Sequence, residues 1–440
     1  MKRILSILIA VSFSLGVMAQ SISRQEIDAH PHLAIPTFSV YAGHLFSRPI
    51  AEAPKGYKPF YISHYGRHGS RHESNVKYPN EILKVFDAAK ANNLLTEKGK
   101  EVMAVAYKIS EAHEGRIGQL TQLGFEQHKG IARRMYHRFK PVFYRGAIVD
   151  SRSSDYTRCI LSMAGFNESL KECEPMLETR MDAAPELQEI VRPTMAFIKD
   201  PRYQNIPYDS DAEWWLRLKN WSAKQDLSHS ANMLFTDVDK LCEVVGLDKM
   251  SLMMTIYKRL AIMQNLGWHD RTLIDTIFTA DERHAIYLYE NYRWYCRYVS
   301  INVEGGKQRF AAMQNTVKDI IKHADLAIEG KNSAVANFRF GHDYYLLGLF
   351  SMIGINECSG DADISNVAKL GDVWPSYRVV TMASNLQFVF YRSKKNPDVL
   401  VRILENENDV TLPIESATAP FYKWDDVRKY LNDRIELFTK

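Results

Sequence analysis

The stretch from Pro59 to His72 constrains the fold more than any other part of the chain; it reads P-F-Y-I-S-H-Y-G-R-H-G-S-R-H. Its apolar run, Phe60 to Tyr65, is typical of a buried β-strand, and the glycines that follow predict a tight loop. That loop carries Arg67, His68 and Arg71. Two guanidinium groups beside an imidazole can hold an oxyanion such as phosphate while a neutral ring nitrogen attacks it. We therefore expect this loop to form the centre of an anion site.

The first twenty residues have the pattern of an export signal. A basic start precedes an apolar run from Ile4 to Val17, and Met18 and Ala19 complete a small-residue cleavage site. We predict a signal peptide over residues 1–19, cleaved after Ala19, which places the mature protein in the periplasm or outside the cell. A membrane anchor is less favoured because the run is short and interrupted by serines. No later stretch is long and apolar enough to cross a bilayer.

The composition excludes several classes of function. The chain has 440 residues, 46% of them hydrophobic, which is enough material for a sizeable core. The formal net charge is only +4 and falls further without the signal peptide, so we expect no nucleic-acid partner. Wide cysteine spacings give no zinc pattern, although an exported protein can pair four of the five thiols. The cysteines are Cys159, Cys173, Cys242, Cys296 and Cys358.

Strand, loop and helix patterns occur at both ends of the chain. Apolar residues at helical spacing predict helices over 79–92 and 96–113 and a third that begins at Thr121. Short strands are predicted at 147–151 and 333–340. Two alternating stretches, 386–392 and 399–404, predict a hairpin. Between them, from about residue 171 to residue 328, aromatic residues and methionines at helical spacing indicate a mainly helical insert.

These patterns predict an α/β fold with a mixed central sheet flanked by helices. We assign residues 20–160 and 330–440 to this core and residues 161–329 to a large helical cap. Ligands bind at the carboxyl ends of strands in such sheets. His68, Arg158, His342 and Asp343 all follow predicted strands, so we expect them to converge there.

A metal site is the first alternative, because His64, His68 and His72 recur every four residues, as ligands on a helix would. The intervening glycines argue against a helix, and no H-E-x-x-H motif accompanies the histidines. We therefore expect neither a metal nor another cofactor. His64, inside the apolar run, is expected to be a hydrogen-bonded core histidine.

Phosphoryl transfer through a covalent phosphohistidine explains more of these residues. The phosphate oxygens need cations, and three arginines can supply them: Arg67, Arg71 and Arg158. The leaving alkoxide needs a proton, which Asp343 can give and later recover from the attacking water. His342 would be a further donor to phosphate. The same arginines lower the pKa of His68, which keeps it a neutral nucleophile in mild acid.

Four segments, in order, resemble the histidine acid phosphatases, the acid phosphatase and phytase branch of the histidine phosphatase superfamily. They are R-H-G-S-R from Arg67, G-Q-L-T-Q-L-G-F-E-Q-H from Gly118, R-S-S-D-Y-T-R from Arg152 and F-G-H-D from Phe340. The resemblance implies a phosphoglycerate mutase-like core and a helical cap that lines the substrate pocket. The roles it implies are His68 as nucleophile, Arg67, Arg71, Arg158 and His342 as phosphate ligands, and Asp343 as proton donor.

The chain departs from the family pattern at two places. Glu73 stands where the family often has proline, and H-D stands where inositol polyphosphate phosphatases of the family commonly have H-A-E. The C-terminal pattern from Ala383 to Pro413 is nevertheless similar to that of the inositol polyphosphate phosphatases. The motifs therefore leave the substrate branch open.

We predict an exported, metal-independent phosphomonoesterase whose substrate is phytate or another inositol polyphosphate. Asn75 and Lys77 follow the nucleophile loop and are predicted to meet distal phosphates. A broad acid phosphatase acting on sugar phosphates or other small esters is the main alternative. A catalytically silent binder of phosphate ligands is a further one, but it would need neither His68 nor Asp343.

Overall fold

The computed structural model describes residues 21–439 except 44, 48, 194–211, 269–271 and 359. The predicted signal peptide lies outside the described residues. No helix in the described part of the chain combines the length and apolar character that a membrane span requires. All five cysteines are among the described residues, and no disulfide bond joins any of them.

A mixed sheet lies at the centre, as predicted, and has eight strands within the described residues. They are β1 (Tyr57–Arg67), β2 (Ile148–Ser153), β3 (Glu178–Asp182), β4 (Ala334–Gly341), β5 (Asn385–Ser393), β6 (Leu400–Glu405), β7 (Asn408–Asp409) and β8 (Phe421–Lys423). Their order is β3-β2-β4-β1-β5-β6-β7, with β8 paired to β6. The first four strands in this order pair in parallel, and the remaining pairs are antiparallel.

Helices cover the sheet and build the insert. They are α1 (Ile22–Ala29), α2 (Lys77–Ala91), α3 (Glu97–His113), α4 (Gln122–Arg138), α5 (Thr157–Cys173), α6 (Gln188–Val191), α7 (Glu213–Ser222), α8 (Ser228–Leu234), α9 (Val238–Val245), α10 (Lys249–Ala261), α11 (Thr272–Ile277), α12 (Ala280–Tyr298), α13 (Gly306–Phe310), α14 (Gln314–Ile328), α15 (Asp343–Ile353), α16 (Val367–Val373), α17 (Ser376–Val379) and α18 (Trp424–Thr439). The predicted helices at 79–92 and 96–113 correspond to α2 and α3. The predicted hairpin is formed by β5 and β6.

Each face of the sheet packs on its own apolar core. Helices α4 and α5 cover one face, where Val149 and Phe338 are buried. The other face packs on α14, α15 and α18, and this core continues into the insert, where Met253 and Tyr295 are buried in the same cluster. Most of α5 and all of β3 lie beyond residue 160, where the sequence predicts the cap to begin, and both belong to the sheet layer.

The parallel strands bring three loops to one edge of the sheet. Arg67, the last residue of β1, is paired with Gly341, the last residue of β4. Ser153, the last residue of β2, is paired with Phe340. Since neighbouring parallel strands end together, the residues that follow them leave the sheet side by side.

The loop after β1 is clamped by the start of α4. A Cβ atom on Gly69 would lie 2.3 Å from the carbonyl oxygen of Gly124, so both backbones meet only because these residues are glycines. Thr121 donates to the carbonyl oxygen of Ser70 from its amide, at 2.9 Å, and from its hydroxyl, at 3.0 Å. The Ser70 amide donates to Gln127 Oε1 at 2.8 Å. The segment that begins at Gly118 therefore fixes the nucleophile loop.

Gly69→Ala is expected to displace this loop and to lower the free energy of unfolding by about 1–3 kcal/mol, because the methyl group would overlap backbone that cannot rotate away. Urea denaturation measures the effect. Gly130→Ala on α4 is the matched control, since its Cβ would meet no backbone within 4 Å outside its own helix, only the end of the Arg134 side chain at 3.2 Å. Equal stability of the two variants would contradict the clamp.

Two buried histidines make stability depend on pH. His64 packs against the rings of Phe166, Phe338 and Phe340, and His128 packs against Phe340. Burial lowers the pKa of His64 well below its ordinary value and lowers that of His128 to about 3. A histidine of the unfolded chain titrates near pH 6.5. Below that pH the unfolded chain binds protons that the folded chain does not, so stability is lost as the pH falls from about 6.5 towards 3.

His128→Gln is expected to flatten this acid limb by up to about 1.4 kcal/mol per pH unit between pH 6 and pH 4, because glutamine does not titrate. The free energy of unfolding measured at several pH values provides the test. His137→Gln, at an exposed position of the same helix, should leave the slope unchanged. Parallel slopes for wild type and His128→Gln would refute this account of the acid limb.

Candidate active site

His68 lies at the carboxyl end of β1 with one ring nitrogen left unpaired. Its Nδ1 atom is 2.9 Å from the carbonyl oxygen of Gly69. A carbonyl oxygen can only accept, so Nδ1 carries the hydrogen and Nε2 keeps its lone pair. Burial, followed by the charges of Arg158 and Arg67, holds the pKa of His68 well below its ordinary value. The tautomer and the lowered pKa therefore both favour a neutral ring whose Nε2 lone pair is available.

Arg67 is fully buried and is connected to the site by its ion pair with Asp343. Its Nη2 atom lies 2.8 Å from Oδ2 of Asp343 and donates at 2.9 Å to the carbonyl oxygen of Thr37. Its Nη1 donates at 2.9 Å to the carbonyl oxygen of Val380. The other carboxylate oxygen of Asp343 accepts from the Tyr344 amide at 2.9 Å. These contacts fix the orientation of the carboxyl group.

Arg71 and Arg158 supply positive charge at the site itself. Arg71 makes a hydrogen bond from Nη1 to the carbonyl oxygen of His72, and its buried Nε has no partner. Burial lowers the pKa of Arg71 to about 10, well above neutral pH, so its guanidinium keeps its charge. Arg158, the second residue of α5, stacks on Tyr156 at 4.5 Å and also has an unpartnered buried Nε. Unsatisfied donors on buried cations favour the binding of an anion.

His342 accepts a hydrogen bond in this arrangement. Nη2 of Arg158 is 3.2 Å from its Nδ1, and a guanidinium can only donate, so the hydrogen lies on Nε2. That atom faces Ser154 Oγ at 3.0 Å. For Nδ1 to donate to a phosphate, the ring must change tautomer once Arg158 turns to the anion. The Ser154 hydroxyl permits this change, because it can donate to Nε2 as readily as accept from it.

A cavity of about 460 Å³ opens above these groups. The predicted residues that line it are His68, Arg71, Arg158, His342 and Asp343, so the structure brings these five together. Arg67 does not line it. Asn75 and Lys77 are exposed and are also absent from its wall, where their neighbours Ser74 and Tyr78 stand instead. Among the described residues, the segment after this loop therefore lines the cavity with Ser74 and Tyr78, and not with Asn75 and Lys77 as predicted.

The insert contributes a second set of charges that the sequence analysis did not single out. Glu290 of α12 is buried and accepts two hydrogen bonds from Arg293, both at 3.1 Å. It also forms an ion pair with Lys258, whose Nζ atom lies 2.6 Å from its carboxylate. Burial raises the pKa of Glu290, but these two cations outweigh it and bring the pKa to about 2. Arg297 lies one turn further along α12, and all four side chains line the cavity. The cap therefore presents cations opposite His68.

The nucleophile loop and the cap are also joined by an ion pair. The carboxylate of Glu73 accepts from Nη1 of Arg259 on α10, and both side chains are almost fully buried. The Arg259 guanidinium lies 4.9 Å from the ring centre of Tyr78 and 5.5 Å from that of Phe38. The residue that departs from the family pattern is therefore the partner of a cap arginine.

The spacing of Glu290, Arg293 and Arg297 is a local signal for these cap residues, but it does not by itself identify a site. They lie three and four positions apart on one face of a predicted helix, a pattern that is usually a solvated surface. Only the packing of the cap over the sheet turns that face inward. Among the described residues, no group of three or more His, Cys, Asp or Glu side chains could hold a metal ion.

Solved structures with the same fold belong to phosphatases. The multiple inositol polyphosphate phosphatase of Bifidobacterium longum, in complex with inositol hexasulfate, is 18% identical, with a TM-score of 0.66 over 87% of this chain and 94% of that chain. Its complex with phosphate is 17% identical, with a TM-score of 0.65 over 90% and 97%. The phytase from D. castellii is 12% identical, with a TM-score of 0.67 over 92% and 85%. Identities this low show the fold alone.

The sequence itself carries the family assignment. No match was found among the curated proteins with which the chain was compared. The family model described as histidine phosphatase superfamily (branch 2) matches residues 66–406, which include every loop described above. This is the family that the four motifs resemble, and its members are phosphoric monoester hydrolases. The chain belongs to branch 2 of the histidine phosphatase superfamily.

Proposed function

We propose that this protein hydrolyses phosphomonoesters through a phosphohistidine on His68, and that its substrates are phytate or other inositol polyphosphates. One observation carries the proposal: the neutral His68 ring, with Nε2 unpaired, lies in a cavity that also carries cations from both the sheet edge and the cap. A single phosphate needs only the first set of cations. The second set has a use when the substrate carries further phosphates.

The first step is displacement at phosphorus. The Nε2 lone pair of His68 attacks, the bond from phosphorus to the ester oxygen breaks, and protonated Asp343 gives its proton to that oxygen. Arg71 and Arg158 balance the charge on the equatorial oxygens. In the second step Asp343, now a carboxylate, takes a proton from water as the water oxygen attacks phosphorus, and the bond from phosphorus to Nε2 of His68 breaks with its electron pair returning to the ring. Inorganic phosphate leaves, and His68 returns to its neutral form.

The charge distribution of the cavity supports a multiply phosphorylated substrate. Lys258, Arg293 and Arg297 line the cavity from the cap, where Glu290 pairs with the first two of them. A cavity of about 460 Å³ is large enough for a small ring that carries several phosphates. The fold shared with an inositol polyphosphate phosphatase and a phytase agrees with this substrate class. Export directed by residues 1–19 would place the enzyme where such compounds are scavenged.

The test is phosphate release by the mature chain from phytate and from p-nitrophenyl phosphate, side by side in chelator and across acid to neutral pH. We expect turnover of both substrates, a lower KM for phytate, and complete loss in His68→Ala. Release from the aryl ester alone would favour a broad acid phosphatase. Retained turnover in His68→Ala would refute the phosphohistidine, and silence of the wild type on both substrates would refute the proposal.

Asp343→Asn separates the acid from the rest of the site. We expect kcat/KM for phytate to fall about 10²–10⁴-fold, because this ratio reports the first step, in which an alkoxide needs a proton to leave. The fall for p-nitrophenyl phosphate should be much smaller, since nitrophenolate leaves without one. Steady-state kinetics on both substrates measures the difference. An equal loss on both would instead indicate that Asp343 acts only by holding Arg67.

A further inference from the structure

The two glutamates of the cavity wall hold their cations in different ways. Glu290 pairs with Lys258 and Arg293, whose side chains remain about one-fifth exposed to the cavity. Glu73 pairs with Arg259, and neither of these side chains is more than 6% exposed. Glu290 therefore pairs with cations that remain partly exposed at the cavity, whereas Glu73 pairs with a cation that is almost fully buried.

The Glu73 pair carries no surplus positive charge. The charges of its two members cancel. The carboxylate accepts from Nη1 of Arg259, and the guanidinium lies over the rings of Phe38 and Tyr78, although its buried Nε has no partner. The carboxylate also lies close enough to Arg71 to raise the pKa of that arginine against the effect of burial. A second phosphate that entered on this side would therefore meet no net positive charge from the pair.

The Glu290 group keeps a positive charge. Two cations share one carboxylate, and the three hydrogen-bonded contacts hold both of them in place. Burial lowers the pKa of Lys258 to about 8, and Glu290 is the group that opposes a further fall. Without Glu290, Lys258 would tend to lose its proton and Arg293 its fixed orientation. Removal of the Glu290 carboxylate therefore would not increase the positive charge that Lys258 and Arg293 offer to a ligand.

We propose that Glu73 is a specificity-determining residue that closes the α10 side of the cavity to anions, so that the further phosphates of the substrate bind on the α12 side, at Lys258, Arg293 and Arg297. This inference rests on the proposed function, because it concerns the same cavity and a polyanionic substrate. The substitution of a family proline by Glu73 thus narrows the set of phosphate positions that the enzyme accepts.

The experiment measures the binding of inositol hexasulfate and of inorganic phosphate to the full mature chain by calorimetry at pH 7. Glu73→Gln frees the charge of Arg259 and should tighten hexasulfate binding roughly 10-fold, with a smaller effect on phosphate. Glu290→Gln makes the same change of charge in the same cavity and should weaken hexasulfate binding roughly 10-fold. If acids in the cavity act only by general repulsion, both variants bind more tightly, and the proposal is wrong.

The double variant Glu73→Gln/Arg259→Gln guards against a folding defect, because replacing both members of a buried ion pair by neutral residues is often tolerated. It should bind hexasulfate as the wild type does, since the pair contributes no net charge. Weaker binding by 10-fold or more would show that Arg259 contacts the ligand and would overturn the proposal.

Glu407→Gln, which breaks the ion pair between Glu407 and Arg134 outside the cavity, reports the effect of losing an ion pair alone. Its hexasulfate affinity should equal that of the wild type, and a change as large as that of Glu73→Gln would overturn the proposal. Failure of the wild type to bind hexasulfate would refute the proposed substrate class and this inference together. Wild-type binding that Glu73→Gln leaves unchanged would refute the inference alone.

Discussion

The buried contact between Arg67 and Asp343 is the interaction on which the rest of the site depends. Arg67 joins the N-terminal segment, the end of β1, the loop after β4 and the segment before β5, because its guanidinium contacts Thr37, Asp343 and Val380. A buried guanidinium is costly unless it is paired with an acid, and loss of that partner costs several kcal/mol. The contacts of Arg67 that orient the carboxyl group of Asp343 therefore also hold these distant segments together.

The cations around His68 cost stability, and this cost is consistent with binding an anion. Burial lowers the pKa of Arg67 and Arg71. Burial, followed by the charge of Arg158, also lowers the pKa of His68 and His342 well below the ordinary value. Each shift means that the folded chain disfavours the charged form relative to water. A phosphate would supply the missing negative charge to donors that the fold has already gathered around His68, and donors placed in advance stabilise a transition state effectively.

Local sequence patterns predicted the sheet, the position of the loop after β1 at its edge and five of the residues that line the cavity. They succeeded because the spacing of apolar residues, every second residue in a strand and every third or fourth in a helix, indicates which face of the element is buried. They also succeeded because neighbouring parallel strands end at the same edge of a sheet. They failed where position depends on packing between distant segments. Arg67 follows the apolar run directly, yet it points beneath the floor, and Lys77 follows the loop, yet it faces solvent. Nothing local distinguishes the inward face of α12 from a solvated one.

The acids of the cavity explain how the cap can face the sheet edge without a ligand. Lys258, Arg293 and Arg259 would repel the arginines opposite if they stood alone, and the repulsion would grow as the cap excluded water. Glu290 and Glu73 reduce it at two places, one on each side of the cavity. Because each acid also decides whether its cation remains available, the groups that let the cap pack over the site are the same groups that set where a polyanion can bind.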